Sequence, residues 1–359
     1  MSASGNAGKN WLALLGSMRL VSGAALAIVL SLLLPLPARG ADTGARPYAV
    51  VDLHTDLSYQ SNFRGRSFAD GVGQFRAADL ARAGVVGVVL PLFVPRDASP
   101  TGPRLADLER SYLGVFSALL KTPPYRLPGC IPRDGGVRTW LAFEGAGPLA
   151  RRPRELGEFA ARGVRVAGLV HTRRNELASS SGDPAPVSEG LSPAGREFAE
   201  AAIRLGVVLD VSHASERATR ELTALSRSAG VPVIATHSNA RSLADHPRNL
   251  TDAELRAIAE TGGVVGVNFH SPFVVRKRPA TLADVVAQVR YLARVMGAEH
   301  VAIGADFEGD SRPPAELSDA GGYQRLATAL EGAGMSRNDV ESVMSRNALR
   351  VLCRSGDTD

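Results

Sequence analysis

His54 and Asp56 stand two residues apart where an apolar run, "YAVVDLH", comes to its end. On a strand, side chains two apart point the same way, so this pair can offer one nitrogen and one oxygen to a single metal ion. Glu144 closes a second apolar run, "VRTWLAFE", and His213 and His237 close two others, "GVVLDVSH" and "VPVIATH". Five ligands of these types suffice for two Zn²⁺ ions per chain if the carboxylate is shared between them. Many two-metal barrel hydrolases bridge with a carboxylated lysine instead. The only lysines here are Lys9, Lys121 and Lys277, none of which ends such a run, so Glu144 is the natural bridge. His171 and Asp306 also finish apolar runs.

A single histidine at a strand end is more often a hydrogen-bonded structural residue than a ligand. The joint pattern decides otherwise, because acids and imidazoles crowded at one place are costly unless a cation sits among them. Five of the seven histidines end a run in this way, counting His270, whose role is left open. His246, in a loop, and His300, just before the last run, are read as structural. The "EGAGPLA" stretch resembles a dinucleotide fingerprint, but Pro148 sits inside it and no acid closes a following strand where a ribose partner should be.

Eight apolar runs must position these residues: 48–54, 84–94, 137–144, 164–171, 206–213, 231–237, 263–270 and 301–307. They are rich in Val and continuously apolar, as strands buried on both faces of a parallel sheet are. Helical patterns such as "SPAGREFAEAAIRLG" and "TDAELRAIAETGG" separate them, opening at Ser, Thr or Pro and closing at Gly. Eight βα units without a repeat period predict a (β/α)8 TIM barrel of the α/β class. In that fold the C-terminal ends of the strands form the active-site mouth. The Pro-rich stretch from Pro95 to Pro132 reads as part of the second βα connection, holding one helix.

Lys9 and Arg19 precede an apolar run from Leu20 to Pro37, followed by "ARGAD". This is the layout of a signal peptide cleaved after Gly40 or Ala41, with an uncleaved membrane anchor as the alternative. Residues 1–41 therefore stand apart from a single domain at 42–359, and the catalytic part is expected to be exported, periplasmic or extracellular. Hydrophobic content of 45% and charged content of 21% mark a globular chain. A net charge of +5 with no long basic run argues against a nucleic-acid partner. Cys130 and Cys353 could pair after export, but sequence alone does not bring them together.

From Val51 to Leu352 the chain resembles the membrane dipeptidases, the renal-dipeptidase-like zinc metallopeptidases. The resemblance rests on "VDLHTDL", "LAFEGAGPL", "VHTRRNELASSSGD", "EGLSPAGREF", "LGVVLDVSHAS", "PVIATHSNARSLADHPRNLTD", "GGVVGVNF", "IGADFEG" and "SRNALRVL". It implies that His54, Asp56 and Glu144 hold one zinc and Glu144, His213 and His237 the other. It further implies that His171 polarises the substrate, Arg248 receives its terminal carboxylate and Asp306 shuttles the proton. The implied reaction is hydrolysis of a dipeptide with a free C-terminal carboxylate by metal-activated water. "AAIRLG" lacks an Asn often seen in relatives, and "CRSGDTD" carries no apolar tail for a lipid anchor, which leaves substrate range and oligomeric state open. A homodimer and membrane attachment through the N-terminal segment stay open as well. The rival readings are another amide-bond hydrolase on the same site, taking a lactam or an acyl-amino acid, and an exported solute-binding protein that holds metal without turnover.

Overall fold

The computed structural model describes residues 47–99, 102–130, 136–183 and 189–353. The expected signal or anchor segment, 1–41, lies outside them. Among the described residues nine strands form one sheet: β1 (Val50–Asp52), β2 (Val85–Phe93), β3 (Tyr125–Pro128), β4 (Val137–Glu144), β5 (Val164–Gly168), β6 (Val208–Asp210), β7 (Val233–Ile234), β8 (Val265–Val267) and β9 (Val301–Ile303). Eight of them run in the order β7-β6-β5-β4-β2-β1-β9-β8, every pairing parallel. A parallel bridge between Ala235 and Val265 joins β7 to β8 and closes the ring. The fold is the (β/α)8 barrel that the eight apolar runs imply.

All eight expected strands are present, but most are shorter than their apolar runs. The last residues of the other runs leave the ladder to form the loops of the mouth, whereas 137–144 stays paired through Glu144. His213 and Asp306 have left-handed φ angles of 67° and 63°, which no strand accommodates. The ninth strand, β3, falls inside the stretch read as a helix-bearing connection. It pairs with Val137 and Thr139 of β4, below the point where β5 begins its own pairing at Leu141. A four-residue segment that follows Pro123 and Pro124 and ends on Pro128 gives no alternating pattern to read, and only the edge at the foot of β4 makes it a strand.

The helices are α1 (Leu57–Phe63), α2 (Leu105–Lys121), α3 (Pro153–Ala161), α4 (Pro193–Leu205), α5 (Glu216–Ala229), α6 (Asp252–Glu260), α7 (Ser271–Val274), α8 (Leu282–Met296), α9 (Gly322–Gly332), α10 (Arg337–Glu341) and α11 (Asn347–Leu352). Their starts follow the cap signals. Ser192 and Ser215 accept from the backbone N–H three residues on, and Thr251 with Glu254 forms a capping box. Gly206 and Gly230 close α4 and α5 in the left-handed conformation.

Alternation along the strands separates two cores. Val51, Val89, Trp140, Val166, Val208 and Ile234 point into the barrel, and their neighbours pack outward under the helices. Ala348, Val351 and Leu352 of α11 join the inner cluster and stop the barrel at its N-terminal end. Asn347 donates to the Val301 carbonyl at 2.8 Å there, and the Arg165 guanidinium donates to that of Leu352 at 2.7 Å. A disulfide between Cys130 and Cys353 fastens this plug to the segment after β3, with Cα atoms 5.6 Å apart. The open end is left for chemistry.

Candidate metal centre and active site

Trp140 and Ala142 face the barrel interior, so Glu144, in phase with them at the end of β4, faces its mouth. Four imidazoles converge on its Oε1. The Nε2 atoms of His213, His54, His237 and His171 lie 3.1, 3.5, 3.6 and 3.8 Å away. His54 Nε2 is also 3.6 Å from Asp56, and the Nε2 atoms of His213 and His237 are 3.0 Å apart. Asp306 completes a third cluster with His54 and Asp56. All seven residues expected from strand ends thus meet at one place. Arg248 joins them from the loop before α6, in the wall of the same cavity of about 630 Å³.

The sequence reading missed the residues that hold these side chains in position. Asp52 and Asp210 lie inside the apolar runs, as the last residues of β1 and β6, and are buried. Asp52 accepts the backbone N–H groups of His54 and Ala305, each at 3.0 Å, and the hydroxyl of Tyr323. It thereby ties the end of β1 to the end of β9. Asp210 accepts the N–H groups of Ser212 (2.8 Å) and Thr236 (3.0 Å), tying β6 to β7. The Thr236 hydroxyl lies 2.5 Å from Asp210 and 2.9 Å from Nδ1 of His237. Asn268 donates to Asp306 at 3.0 Å and is itself clasped by Asn239 through two hydrogen bonds. An acid two or three residues before a strand-end histidine, as in "VVDLH" and "VLDVSH", was the available signal for the first two.

Burial and mutual charge govern the site's protons. Burial pushes Glu144 up to about 8, with the carboxylates of Asp56 and Asp306 adding to it. Burial, and then Asp56, lifts Asp306 to about 7. Burial alone would depress His54, but Glu144, Asp56 and Asp306 outweigh it and raise it to about 10. His213 and His237 are held well below the usual imidazole range by burial and by the cationic Arg248 and neighbouring histidines. Burial lowers His171 to about 4. Buried carboxylates whose charges oppose ionisation of Glu144 and Asp306, beside the neutral imidazoles of His171, His213 and His237 with Nε2 turned toward Glu144, make a donor set suited to divalent cations. Three groups of these residues can each bring three ligand atoms within 4.8 Å of one another. The residues therefore fit metal ions.

Arg248 is buried, and its Nη2 donates to the His237 carbonyl at 3.2 Å. Its Nε is buried without a partner among the described residues. His246, expected to be structural, instead lines the cavity next to Arg248 and accepts the Arg248 backbone N–H at 3.1 Å. The connection that carries it folds back through a bridge between Ala240 and Leu250, which brings a loop histidine to the mouth. His270, left open by the sequence, lines the cavity too, while His300 donates to or accepts from nothing in it and lies 2.7 Å from the Gly263 carbonyl.

A closed parallel barrel with a ring of His, Asp and Glu at the C-terminal mouth defines a TIM-barrel metal-dependent hydrolase. The family model described as membrane dipeptidase, peptidase family M19, matches residues 45–357, and the chain belongs to that family. It is a metallo-dipeptidase. A Klebsiella pneumoniae protein, described only as an uncharacterized protein in the pqqA 5′ region, is 39% identical over 262 residues, 68% of this chain and 95% of that one. An uncharacterized dipeptidase of Schizosaccharomyces pombe is 34% identical over 217 residues, 60% of this chain and 52% of that one. Among solved structures, a metallopeptidase from Rhodobacter sphaeroides, liganded with a phosphinate mimic of the dipeptide L-Ala-D-Ala, is similar with a TM-score of 0.75. It is 26% identical, and the match covers 86% of this chain and 99% of that one.

Proposed function

We propose that this protein is an exported zinc dipeptidase, with two Zn²⁺ held by His54, Asp56, Glu144, His213 and His237 and with Glu144 shared between them. The observation that carries the reading is the convergence of four imidazole Nε2 atoms within 3.8 Å of one Glu144 oxygen. Imidazole and carboxylate ligands suit Zn²⁺. Bound there, such ions supply Lewis acidity toward the scissile carbonyl and lower the pKa of water to about 7.

The chain's own residues do the rest. Arg248 takes the C-terminal carboxylate of the dipeptide, with its unpartnered Nε and the rest of its planar fork as donors. His171, neutral because burial holds it near 4, donates an N–H to the carbonyl oxygen as negative charge grows there. Asp306, lifted to about 7, is poised to take a proton from the attacking water and return it to the leaving amine. Acidic groups, Asp56, Asp306 and Asp310, line the cavity together with the cationic Arg248, which suits a zwitterionic dipeptide. Export is supported by the charged-then-apolar N-terminus and by the Cys130–Cys353 disulfide, a bond that persists in oxidising compartments.

The test is hydrolysis of Ala-Ala by the purified protein with zinc restored, with and without chelator, beside elemental analysis. Cleavage that stops on chelation and returns with zinc is expected. Turnover indifferent to chelation, or no cleavage of any dipeptide, would overturn the reading.

A further inference from the structure

Three rings stand beside Arg248 in the cavity wall. The Phe273 centroid is 5.6 Å from Cζ of Arg248, and the rings of His246 and His270 lie 4.5 and 4.6 Å from that of Phe273. Each imidazole uses Nδ1 as an acceptor: His246 from the Arg248 backbone N–H at 3.1 Å, His270 from that of Arg312 at 3.0 Å. Burial, reinforced by Arg276 at the first and Arg312 at the second, lowers both rings to about 4, so both are neutral. A neutral imidazole that accepts at Nδ1 carries its proton on Nε2. Both Nε2–H groups are therefore donors, and neither has a hydrogen-bond partner among the described residues. The charged groups acting on these two rings are Arg241, Arg248, Arg276 and Arg312, with Asp245 the one acid among them.

We propose that His246 and His270 form the subsite for the side chain of the substrate's C-terminal residue, and that it selects a side-chain carboxylate. This rests on the dipeptidase reading, in which Arg248 takes the main-chain carboxylate. That carboxylate and the side chain leave the same Cα, so the wall beside Arg248 is what the side chain meets. An aspartyl or glutamyl carboxylate accepts from both Nε2–H groups and gains from the surrounding arginines. An aliphatic side chain covers two donors and pairs neither. An amide side chain offers one acceptor without charge. A lysyl side chain meets donors and cations only.

The experiment compares kcat/KM for Ala-Ala, Ala-Asp, Ala-Asn, Ala-Leu and Ala-Lys on the zinc-loaded enzyme. Ala-Asp is expected to exceed Ala-Leu by roughly 10-fold or more, with Ala-Asn between them and Ala-Lys last. His246→Phe and His270→Phe should each compress the Asp-to-Leu ratio toward one. His246→Gln, which keeps a donor, should retain most of it. The ratio is read within one protein sample, so a change in overall rate does not blur it. Cleavage of Ala-Ala with Ala-Leu equal to or better than Ala-Asp overturns the subsite alone, as does a ratio that both Phe variants leave intact. Failure to cleave any dipeptide overturns the dipeptidase reading instead, and the subsite with it.

Discussion

Thr236 fixes the tautomer of His237. Its hydroxyl lies 2.5 Å from an oxygen of Asp210 and 2.9 Å from Nδ1 of His237. Asp210 is acceptor-only when ionised, so the hydroxyl donates to it and its oxygen accepts from Nδ1–H. The proton is thereby kept on the outer nitrogen and the lone pair of Nε2 is turned into the mouth. Alternation explains the placement. Val208 and Ile234 face the barrel interior, and Asp210 and Thr236 follow them in phase.

Removing this brace should weaken metal binding without removing a ligand. Thr236→Val and Asp210→Asn are expected to lower zinc affinity by about 10–100-fold, the usual cost of losing an outer partner of a ligating histidine. Competition against a chromogenic chelator measures it. Unchanged affinity in both variants would detach the relay from the metal site.

Glu144 and His213 should differ in what they take with them. Glu144→Gln removes the charge and one of the two oxygens of the carboxylate that four imidazoles face, so metal content should fall from roughly two per chain toward zero. His213→Ala should cost mainly one ion. Elemental analysis after dialysis separates the cases, and a Gln variant holding both ions at near-normal rate would deny the bridge.

Asp306 is held by Asn268 and sits at φ 63° in a loop, not on a strand. A non-glycine residue in that conformation is kept there by its surroundings, and such residues gather at active sites. Asp306→Asn should leave metal content intact while lowering kcat by roughly 10²–10⁴-fold, the range for loss of a general acid–base. Loss of metal instead would make Asp306 a ligand.

The sequence made the barrel and the ring of strand-end residues legible because both follow from position alone. An apolar strand that ends on His, Asp or Glu delivers that side chain to the mouth whatever the loops do. The supports were not legible on the same ground. Asp52 and Asp210 interrupt apolar runs, and an acid there reads as a flaw in the pattern until its acceptors are seen to reach the neighbouring strand. Asn239, Asn268 and His246 lie on loops, whose paths depend on contacts far along the chain. Strand β3 needed the foot of β4 to exist at all.

The disulfide ties segments 223 residues apart and so constrains the unfolded chain strongly. Chain-entropy arguments put the effect at about 5 kcal/mol. Reduction, or replacement of Cys130 and Cys353 by Ser, should lower Tm by about 5 °C or more. Intact mass of the exported protein should be short by two hydrogens relative to the free thiols and should start near Ala41 or Asp42. A full-length product with free thiols would speak against export.

Arg248 is expected to set the length of the substrate. Its guanidinium is buried, burial lowers its pKa, and the carboxylates of Asp306 and Glu144 oppose that shift. One donor reaches the His237 carbonyl, and Nε is left without a partner among the described residues. A buried charged donor without a partner is costly, and a substrate carboxylate removes the cost. That contact is strict in geometry, because a planar fork accepts a carboxylate in one orientation. The tether to the carbonyl of His237 would then fix how far a carboxylate held there stands from Glu144 and the histidines around it. A C-terminal amide cannot match the charge, and an added residue carries the carboxylate out of reach. Dipeptides should therefore be cleaved at least about 10-fold faster than their amides or than tripeptides extended on that side. Arg248→Ala should erase the discrimination by raising KM for the free acid more than for the amide. Arg248→Lys should restore little, since an ammonium lacks the fork. The measurement is kcat/KM for Ala-Ala and its amide in the three proteins. Equal rates for acid and amide in the wild type would mean that Arg248 does not read the carboxylate and that the site serves amide bonds more widely.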